Sequence, residues 1–129
     1  MDKKFTILFL DDDEFIVDIY ATKILERGHV VVPCQSAKVA LEKLRGGLRV
    51  DIIVADIIMP QMNGFEFIKT LRDEHLAEGL PIIVLSNQSE PEDFARMKDL
   101  KVAGQFIKAQ SLPDEMVSKI EQVVLGWQK

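Results

Sequence analysis

The chain has 129 residues, 47% of them apolar and 29% charged, which is the composition of one globular domain large enough to bury its own core. Its formal net charge of −5 argues against tight binding of nucleic acid or an anionic membrane, and no apolar stretch approaches the ~20 residues of a membrane-spanning helix. The single cysteine excludes an internal disulfide and fits a cytoplasmic setting, so we expect one domain over residues 1–129, with no direct DNA binding and no membrane association.

Apolar stretches that alternate with helical patterns predict five β-strands. They cover 5–10, 30–34, 52–55, 82–85 and 105–107. The unbroken apolar character of the first, third and fourth stretches is typical of parallel strands that are covered on both faces. Pro33 in the second stretch favours an edge strand, because proline cannot donate a ladder hydrogen bond.

Helical periodicity predicts a helix after each strand. The predicted helices cover 14–27, 37–45, 65–76, 91–100 and 113–127. Asp13 suits the N-cap of the first helix, and Gly28 suits its end. The apolar residues at helical spacing that we expect to face the core in the first two helices are Phe15, Ile16, Ile19, Tyr20, Ile24, Val39, Ala40, Leu41 and Leu44.

This alternation predicts an α/β protein of the flavodoxin-like (βα)5 type. Right-handed crossovers place helices on both faces of a parallel five-stranded sheet, which gives a three-layer sandwich. The edge position of the second strand favours the strand order 2-1-3-4-5. In such a sheet the crevice lies beyond the carboxyl ends of strands 1 and 3, where Asp11, Asp12 and Asp56 fall.

Polar residues stand where the predicted strands end. They are the acidic run 11–13, then Asp56, Ser86 and Lys108. Taken singly, each has an ordinary interpretation as a helix cap, a turn cap or a solvated lysine. Because the carboxyl ends of parallel strands meet at one edge, we expect these side chains to share one small site. Clustered carboxylates repel each other unless a cation lies among them, so the set predicts a divalent ion, with Mg²⁺ as the hard ion that prefers oxygen ligands.

The same set of groups suits phosphoryl transfer. Asp56 can attack phosphorus as a nucleophile and form an aspartyl phosphate. A metal ion anchored by Asp11, Asp12 and Asp56 offsets the charge on the transferring group. Lys108 offers a second positive charge, and Ser86 offers a hydrogen bond to a phosphoryl oxygen.

Four segments resemble the receiver domain of bacterial two-component response regulators, in particular single-domain, chemotaxis-regulator-like receivers. The spacings in this chain are 44 residues from Asp12 to Asp56, 30 from Asp56 to Ser86 and 22 from Ser86 to Lys108. The acceptor segment also carries Met59-Pro60 and Gly64, as the family does. The segments that carry the resemblance are 7–13, 51–64, 81–86 and 106–108.

The resemblance implies that Asp56 accepts the phosphoryl group and that Mg²⁺ is held by Asp11, Asp12, Asp56 and the backbone carbonyl of Ile58. It also implies that Ser86 moves toward the phosphoryl group, while an aromatic side chain on strand 5 changes rotamer. A domain of this kind is a phosphoacceptor with at most slow autodephosphorylation and is not usually classed as an enzyme.

The resemblance also implies the kinds of partner. A histidine kinase or a phosphotransfer protein would donate the phosphoryl group. The face formed by helix 4, strand 5 and helix 5 would carry the signal to a downstream protein target by a shift between two pre-existing states. A homodimer formed on phosphorylation is a further option.

Several positions depart from the family pattern, among them Asn87, which follows Ser86 where a small residue is commoner. Ala109 follows Lys108 where the family usually has proline. Gln105 stands three residues before Lys108, where the family has its switch aromatic, and Phe106 stands two before it. Strand alternation points those two side chains to opposite faces, and the sequence leaves open which of them occupies the switch position. Ile58, together with Gln88, predicts poor placement of an attacking water and a long-lived phosphate.

Other functions remain as alternatives. A pseudo-receiver would keep the fold as an interaction module without a phosphate switch, and the altered region around Gln105 and Lys108 motivates it. An FMN-binding protein of the same fold is disfavoured by the acidic loop after strand 1, which would repel a phosphate. A hydrolase of the aspartyl-phosphate type is disfavoured because the segment 56–58 lacks a second aspartate.

Overall fold

Five parallel strands alternate with five helices in a computed structural model of the chain, which describes residues 4–86, 91–108 and 112–127. The strands are β1 (Thr6–Leu10), β2 (Val30–Cys34), β3 (Ile52–Asp56), β4 (Ile82–Ser86) and β5 (Gly104–Ile107). The helices are α1 (Glu14–Glu26), α2 (Ala37–Arg45), α3 (Gly64–Asp73), α4 (Pro91–Asp99) and α5 (Pro113–Gly126).

The sheet has the order β2-β1-β3-β4-β5, and all its pairings are parallel. Both the predicted strand order and the flavodoxin-like class are therefore confirmed. Pro33 lies on the edge strand β2, where it is paired in register with Phe9 of β1. Proline has no N–H to donate, and an edge strand tolerates this because it pairs with a neighbour on one side only.

Alternate residues of the central strands pack into two separate hydrophobic cores, one on each face of the sheet. Ile7 and Phe9 of β1 pack on one face against α1 and α5, while Leu8 and Leu10 pack on the other face against α2, α3 and α4. The period of two along a strand produces this division. Because both faces are covered, β3 and β4 are buried at every position, as unbroken apolar strands require.

Local signals set the helix ends. The Asp13 carboxylate accepts hydrogen bonds from the backbone N–H groups of Phe15 and Ile16, which confirms it as the N-cap of α1. Helix α3 ends at Asp73, earlier than the predicted residue 76. His75 and Ala77 adopt positive φ angles of 56° and 53°, which right-handed helix does not allow.

The predicted apolar faces of α1 and α2 are wrong at three positions. Phe15 and Ile19 of α1 are 72% and 37% exposed, and Val39 of α2 is 40% exposed. The buried stripe of α1 is instead centred on Val17, with Tyr20 and Ile24. Five of the six residues from Phe15 to Tyr20 are apolar, so periodicity alone does not determine how the helix is rotated against the sheet.

No helix within residues 4–86, 91–108 and 112–127 combines the length and the apolar character that a bilayer crossing needs.

Gly64 lets α3 begin directly against the end of β3. Its backbone N–H donates to the carbonyl of Ile57 at 2.8 Å. A Cβ at this position would lie 2.3 Å from the carbonyl oxygen of Asp56 and 2.8 Å from the Cα of Ile57. Both neighbours are backbone atoms, so a side chain at residue 64 must displace the turn that carries Asp56.

We predict that Gly64→Ala lowers the free energy of unfolding by about 1–3 kcal/mol, the usual range for overpacking a tight site. Gly126→Ala is the matched control, because a Cβ there meets no atom within 4 Å and alanine favours a helix. Urea denaturation of both variants measures the difference. Equal stability of the two variants would contradict the close approach at Gly64.

Candidate functional site

The strand ends bring four predicted site residues to one edge of the sheet. Asp11 follows β1, Asp56 ends β3, Ser86 ends β4 and Lys108 follows β5. Asp11, Asp56 and Ser86 are 0%, 4% and 1% exposed, respectively. Two carboxylates buried at this depth need compensation by a cation or by hydrogen bonds.

Asp11, Asp12 and Asp56 form a carboxylate cluster. One oxygen from each residue lies within 4.8 Å of the other two, and Asp12 is the exposed member. Backbone donors orient the two buried carboxylates. Asp11 Oδ1 accepts from the N–H of Asp13 at 2.9 Å, and Asp56 Oδ1 accepts from the N–H of Ile58 at 3.2 Å. An all-oxygen set of this kind, open on one side, fits the ligand preference of Mg²⁺.

Lys108 bridges the two buried carboxylates. Its Nζ lies 2.7 Å from Asp11 Oδ2 and 3.2 Å from Asp56 Oδ2. Burial alone would lower the pKa of Lys108, but the hydrogen bond to Asp11 and the negative charges of Asp11 and Asp56 outweigh it, and the pKa is raised. Lys108 is therefore fully protonated at neutral pH.

One ammonium does not neutralise the two buried carboxylates. Burial and the charge of Asp11 raise the pKa of Asp56 to about 6, although Lys108 acts in the opposite direction. The metal-free site thus disfavours an ionised Asp56. A divalent cation among the carboxylates would remove this repulsion and favour the nucleophilic carboxylate form.

Gln105 occupies the position that the sequence left open. Its Nε2 donates to Ser86 Oγ at 3.2 Å, so Gln105 lies on the face of the sheet that carries Ser86. Phe106 is buried in the opposite core, against α1 and α5. The predicted alternation of these two side chains is confirmed, and an amide stands where the family usually has an aromatic ring.

Ile58, which is 65% exposed, lines two cavities, and Asp56 lines one of them. The predicted metal contact through the backbone carbonyl of Ile58 stays a prediction. The expectations that concern Gln88 and the bond between Lys108 and Ala109 fall on residues 88 and 109, which lie outside the described residues.

Sequence reasoning missed Arg96 and Phe65 as neighbours of the site. The Arg96 guanidinium lies over the Phe65 ring, with 5.3 Å between Cζ and the ring centroid. Both residues line the cavity that contains Ser86. Their positions, 31 residues apart on α3 and α4, carry no local signal of this contact, which depends on how the two helices pack.

Comparison with known proteins agrees with the fold. Residues 7–121 match the family model of the response regulator receiver domain. The chain is 30% identical over 123 residues to the response regulator SaeR of Staphylococcus aureus, a match that covers 95% of this chain and 52% of SaeR. The chain therefore spans about half the length of the curated relatives it matches.

Two solved structures are also similar to this chain. The chemotaxis protein CheY4 of Vibrio cholerae is similar with a TM-score of 0.85 and 26% identity, covering 94% of this chain and 99% of CheY4. The receiver domain of Francisella response regulator 1452 is similar with a TM-score of 0.82 and 26% identity, covering 94% of this chain and 97% of that domain.

Receiver domains act as phosphoacceptors, bind Mg²⁺ at an acidic pocket, and belong to response regulators that interact with histidine kinases and downstream targets. The match over residues 7–121, the strand order and the acidic crevice all agree with this description. The chain belongs to the response regulator receiver domain family of two-component systems.

Proposed function

We propose that Asp56 is the phosphoacceptor of this chain and that the donor is a histidine kinase or a phosphotransfer protein. The observation that carries the proposal is the convergence of Asp11, Asp12 and Lys108 on the Asp56 carboxylate. Asp56 is also the cluster member that ends a central strand, and it lines the same cavity as Asp11, Asp12 and Lys108.

The transfer follows from the groups at the site. A carboxylate oxygen of Asp56 forms a bond to phosphorus, while the phosphorus–nitrogen bond of the donor phosphohistidine breaks and the imidazole keeps the electron pair. Lys108 lies close enough to Asp56 to balance negative charge on the transferring group. The Ser86 hydroxyl, at the end of the neighbouring strand, would donate to a phosphoryl oxygen.

Asp11, Asp12, Asp56 and the backbone carbonyl of Ile58 would hold Mg²⁺ at this site. The ion would supply positive charge that stabilises the developing charge on the phosphoryl oxygens. The crowding of the carboxylates supports the assignment, because the buried pair faces only one ammonium among the described residues.

We further propose that phosphorylation is read out at the face formed by α4, β5 and α5. A downstream protein target would bind that face, and a homodimer is the other form the output could take. The contact between Ser86 and Gln105 supports this route, since it joins the end of β4 to β5. The one cysteine and the acidic charge fit a cytoplasmic protein.

The chain would act as an acceptor with slow self-dephosphorylation. The Ile58 side chain at the mouth of the site has no polar group to orient an attacking water. We expect the acyl phosphate to outlast minutes in the purified protein with Mg²⁺. A half-life of seconds, measured by loss of the added mass, would contradict this.

We predict that Asp56→Asn abolishes phosphorylation, because an amide cannot form the acyl phosphate. Wild type and variant are incubated with acetyl phosphate and Mg²⁺, and the added phosphoryl mass is measured by mass spectrometry. Asp73→Asn is the control, because Asp73 is an exposed carboxylate paired with Lys69, on another part of the surface. Single-site labelling that persists in Asp56→Asn would place the acceptor elsewhere.

Removing a proposed metal ligand should weaken Mg²⁺ binding. We predict that Asp12→Asn lowers Mg²⁺ affinity at least tenfold, and that Asp11→Asn does the same. Asp12 is the cleaner test because it is exposed, so its substitution leaves the core unchanged. The rise in melting temperature with added Mg²⁺ measures the affinity, since a ligand of the native state stabilises it. Unchanged affinity would leave these acids as helix-capping residues only.

The raised pKa of Asp56 predicts a pH-dependent stability without metal. The folded pKa of about 6 lies above the ordinary value of 3.8, so the native state binds the extra proton and loses stability as pH rises from about 4 to 6. In EDTA at pH 8, the free energy of unfolding of Asp56→Asn should therefore exceed that of wild type by on the order of 2 kcal/mol. The two proteins should be equally stable near pH 4.

Added Mg²⁺ gives that experiment its internal control. It should raise the melting temperature of wild type more than that of Asp56→Asn. If Asp56→Asn is less stable than wild type at pH 8 in EDTA, the ionised Asp56 carboxylate does not destabilise the fold.

A second function, an interaction module that does not switch with phosphate, is favoured by Gln105. The amide already donates to Ser86 Oγ, and this hydrogen bond would hold the hydroxyl in its resting position. Beryllofluoride with Mg²⁺ imitates the acyl phosphate and distinguishes the two functions. Absent binding of beryllofluoride, together with absent labelling by acetyl phosphate, would favour the module.

A further inference from the structure

Helix α4 is tied to α3 at its C-terminal end. The Arg72 guanidinium of α3 donates to the carbonyl of Leu100 from Nε at 3.2 Å and from Nη2 at 3.1 Å, and Nη2 also donates to the carbonyl of Lys101 at 3.4 Å. Carbonyls at a helix C-terminus lack partners within the helix and carry the negative end of its dipole. A cation that reaches across from the neighbouring helix therefore supplies both hydrogen bonds and favourable charge.

The backbone at this end of α4 forms a closed turn. The N–H of Val102 donates to the carbonyl of Met97 at 3.0 Å, and the N–H of Lys101 donates to the carbonyl of Lys98 at 3.1 Å, which is the pattern of a Schellman motif. Lys101 takes the left-handed conformation that the motif requires, with a φ of 57°. A residue with a side chain adopts this φ at a cost, so the surrounding contacts must hold it there.

Packing fixes the same end of the helix. Met97 is buried in the core that also takes in residues of α2 and α3, and Leu100 and Val102 pack against that core. The N–H of Ala103 then donates to the carbonyl of Ile82 at 2.8 Å, which joins the chain to the first residue of β4. We name this set of residues the α4 anchor; it comprises Arg72, Met97, Leu100, Lys101 and Val102.

The α4 anchor lies at the edge of the sheet opposite Asp56. Asp56 ends its strand, whereas Ile82, which binds Ala103, begins β4. A helix that follows a parallel strand runs back along the sheet, so α4 starts at the edge that carries Asp56 and ends at the anchor. A cavity of about 550 Å³ lies between α3 and α4, with Phe65 and Arg96 in its lining, so the packing of the two helices leaves room for movement.

We propose that α4 turns about this anchor when Asp56 is phosphorylated, with Arg72 as the positioning residue that keeps the C-terminal end of α4 in place. The inference rests on the proposed role of Asp56 and on the proposed readout at α4, β5 and α5. A helix that is held at one end moves most at the other. The first half of α4, residues 91–95, therefore carries the change that a downstream protein detects.

Amide hydrogen exchange of the full chain, resolved by residue, tests the proposal. Wild type is compared in Mg²⁺ alone and in Mg²⁺ with beryllofluoride, because exchange reports how often each hydrogen bond opens. We expect beryllofluoride to change the exchange rates of residues 92–95. The amides of Leu100, Lys101 and Val102, which form the turn of the anchor, should exchange at the same rate in both conditions.

Removing the guanidinium should release the held end. We expect Arg72→Gln to speed exchange of the three anchor amides by about tenfold in Mg²⁺ alone, which is the loss expected for a hydrogen bond to a charged group. Beryllofluoride should then speed it further, since the released end follows the rest of the helix. Arg72→Lys keeps the charge but not the fork, so it should show a smaller rise; it also serves if the glutamine variant folds poorly.

Arg45→Gln is the matched control. Arg45 of α2 binds the Glu74 carboxylate just past the end of α3, with 2.8 Å from Nε to Oε1 and 2.5 Å from Nη2 to Oε2. Its substitution removes a forked guanidinium contact at the same end of α3 and the same unit of charge, without a contact to α4. We expect its anchor amides to exchange as in wild type in both conditions.

The proposal is overturned if beryllofluoride changes the anchor amides of wild type as much as residues 92–95. It is also overturned if Arg72→Gln speeds their exchange equally with and without beryllofluoride, since Arg72 would then only stabilise the fold, or if Arg45→Gln has the same effect. In each of these cases beryllofluoride still binds, so the proposed phosphoacceptor stands. Absence of any response in wild type, together with absent labelling by acetyl phosphate, would instead overturn the proposed function and this inference with it.

Discussion

The charge imbalance among Asp11, Asp56 and Lys108 is the constraint on which the function of this domain depends. Two carboxylates are buried at the ends of adjacent strands, and one ammonium lies within 3.2 Å of both. The ammonium holds the pair together in the folded chain but does not cancel their repulsion, which is why the pKa of Asp56 is raised. The remaining negative charge favours binding of a divalent cation. A bound cation would in turn favour the ionised, nucleophilic form of Asp56.

The backbone around Asp56 keeps this strained arrangement in place. Burial of β3 on both faces fixes the strand, and Gly64 allows α3 to start within contact of the Asp56 carbonyl. A side chain at residue 64 would push the acceptor turn away from its neighbours. The position of the reactive carboxylate therefore depends on a residue that has no functional group of its own.

The sequence predicted what depends on short-range pattern and on the geometry of parallel sheets. Apolar runs and Pro33 were enough for the strand order, and the strand ends were enough to bring Asp11, Asp56, Ser86 and Lys108 to one edge. It could not predict features that depend on how elements rotate and pack. The first turns of α1 carry more apolar residues than the core takes up, and Phe15 is one that stays exposed. Arg96 meets Phe65 through the packing of two helices.

The contact of Gln105 was predictable from the sequence only in part. Alternation predicts that it and Phe106 point to opposite faces, but the hydrogen bond to Ser86 requires the register of β4 against β5, which pairs Val84 with Gln105. That register places an amide beside the hydroxyl. The polar contact joins the end of the strand next to the acceptor to β5, so a change at Ser86 can reach the far side of the sheet.

The edges of the sheet have a consequence for how copies of this domain can associate. On one side lies β2, whose Pro33 has no N–H to offer, and on the other lies β5, which is four residues long. Neither edge is a good template for a sixth strand from another copy, because a continued ladder needs successive donors over a longer strand. Self-association through merged sheets is therefore disfavoured, and an assembly that follows a signal would be built from side-chain contacts.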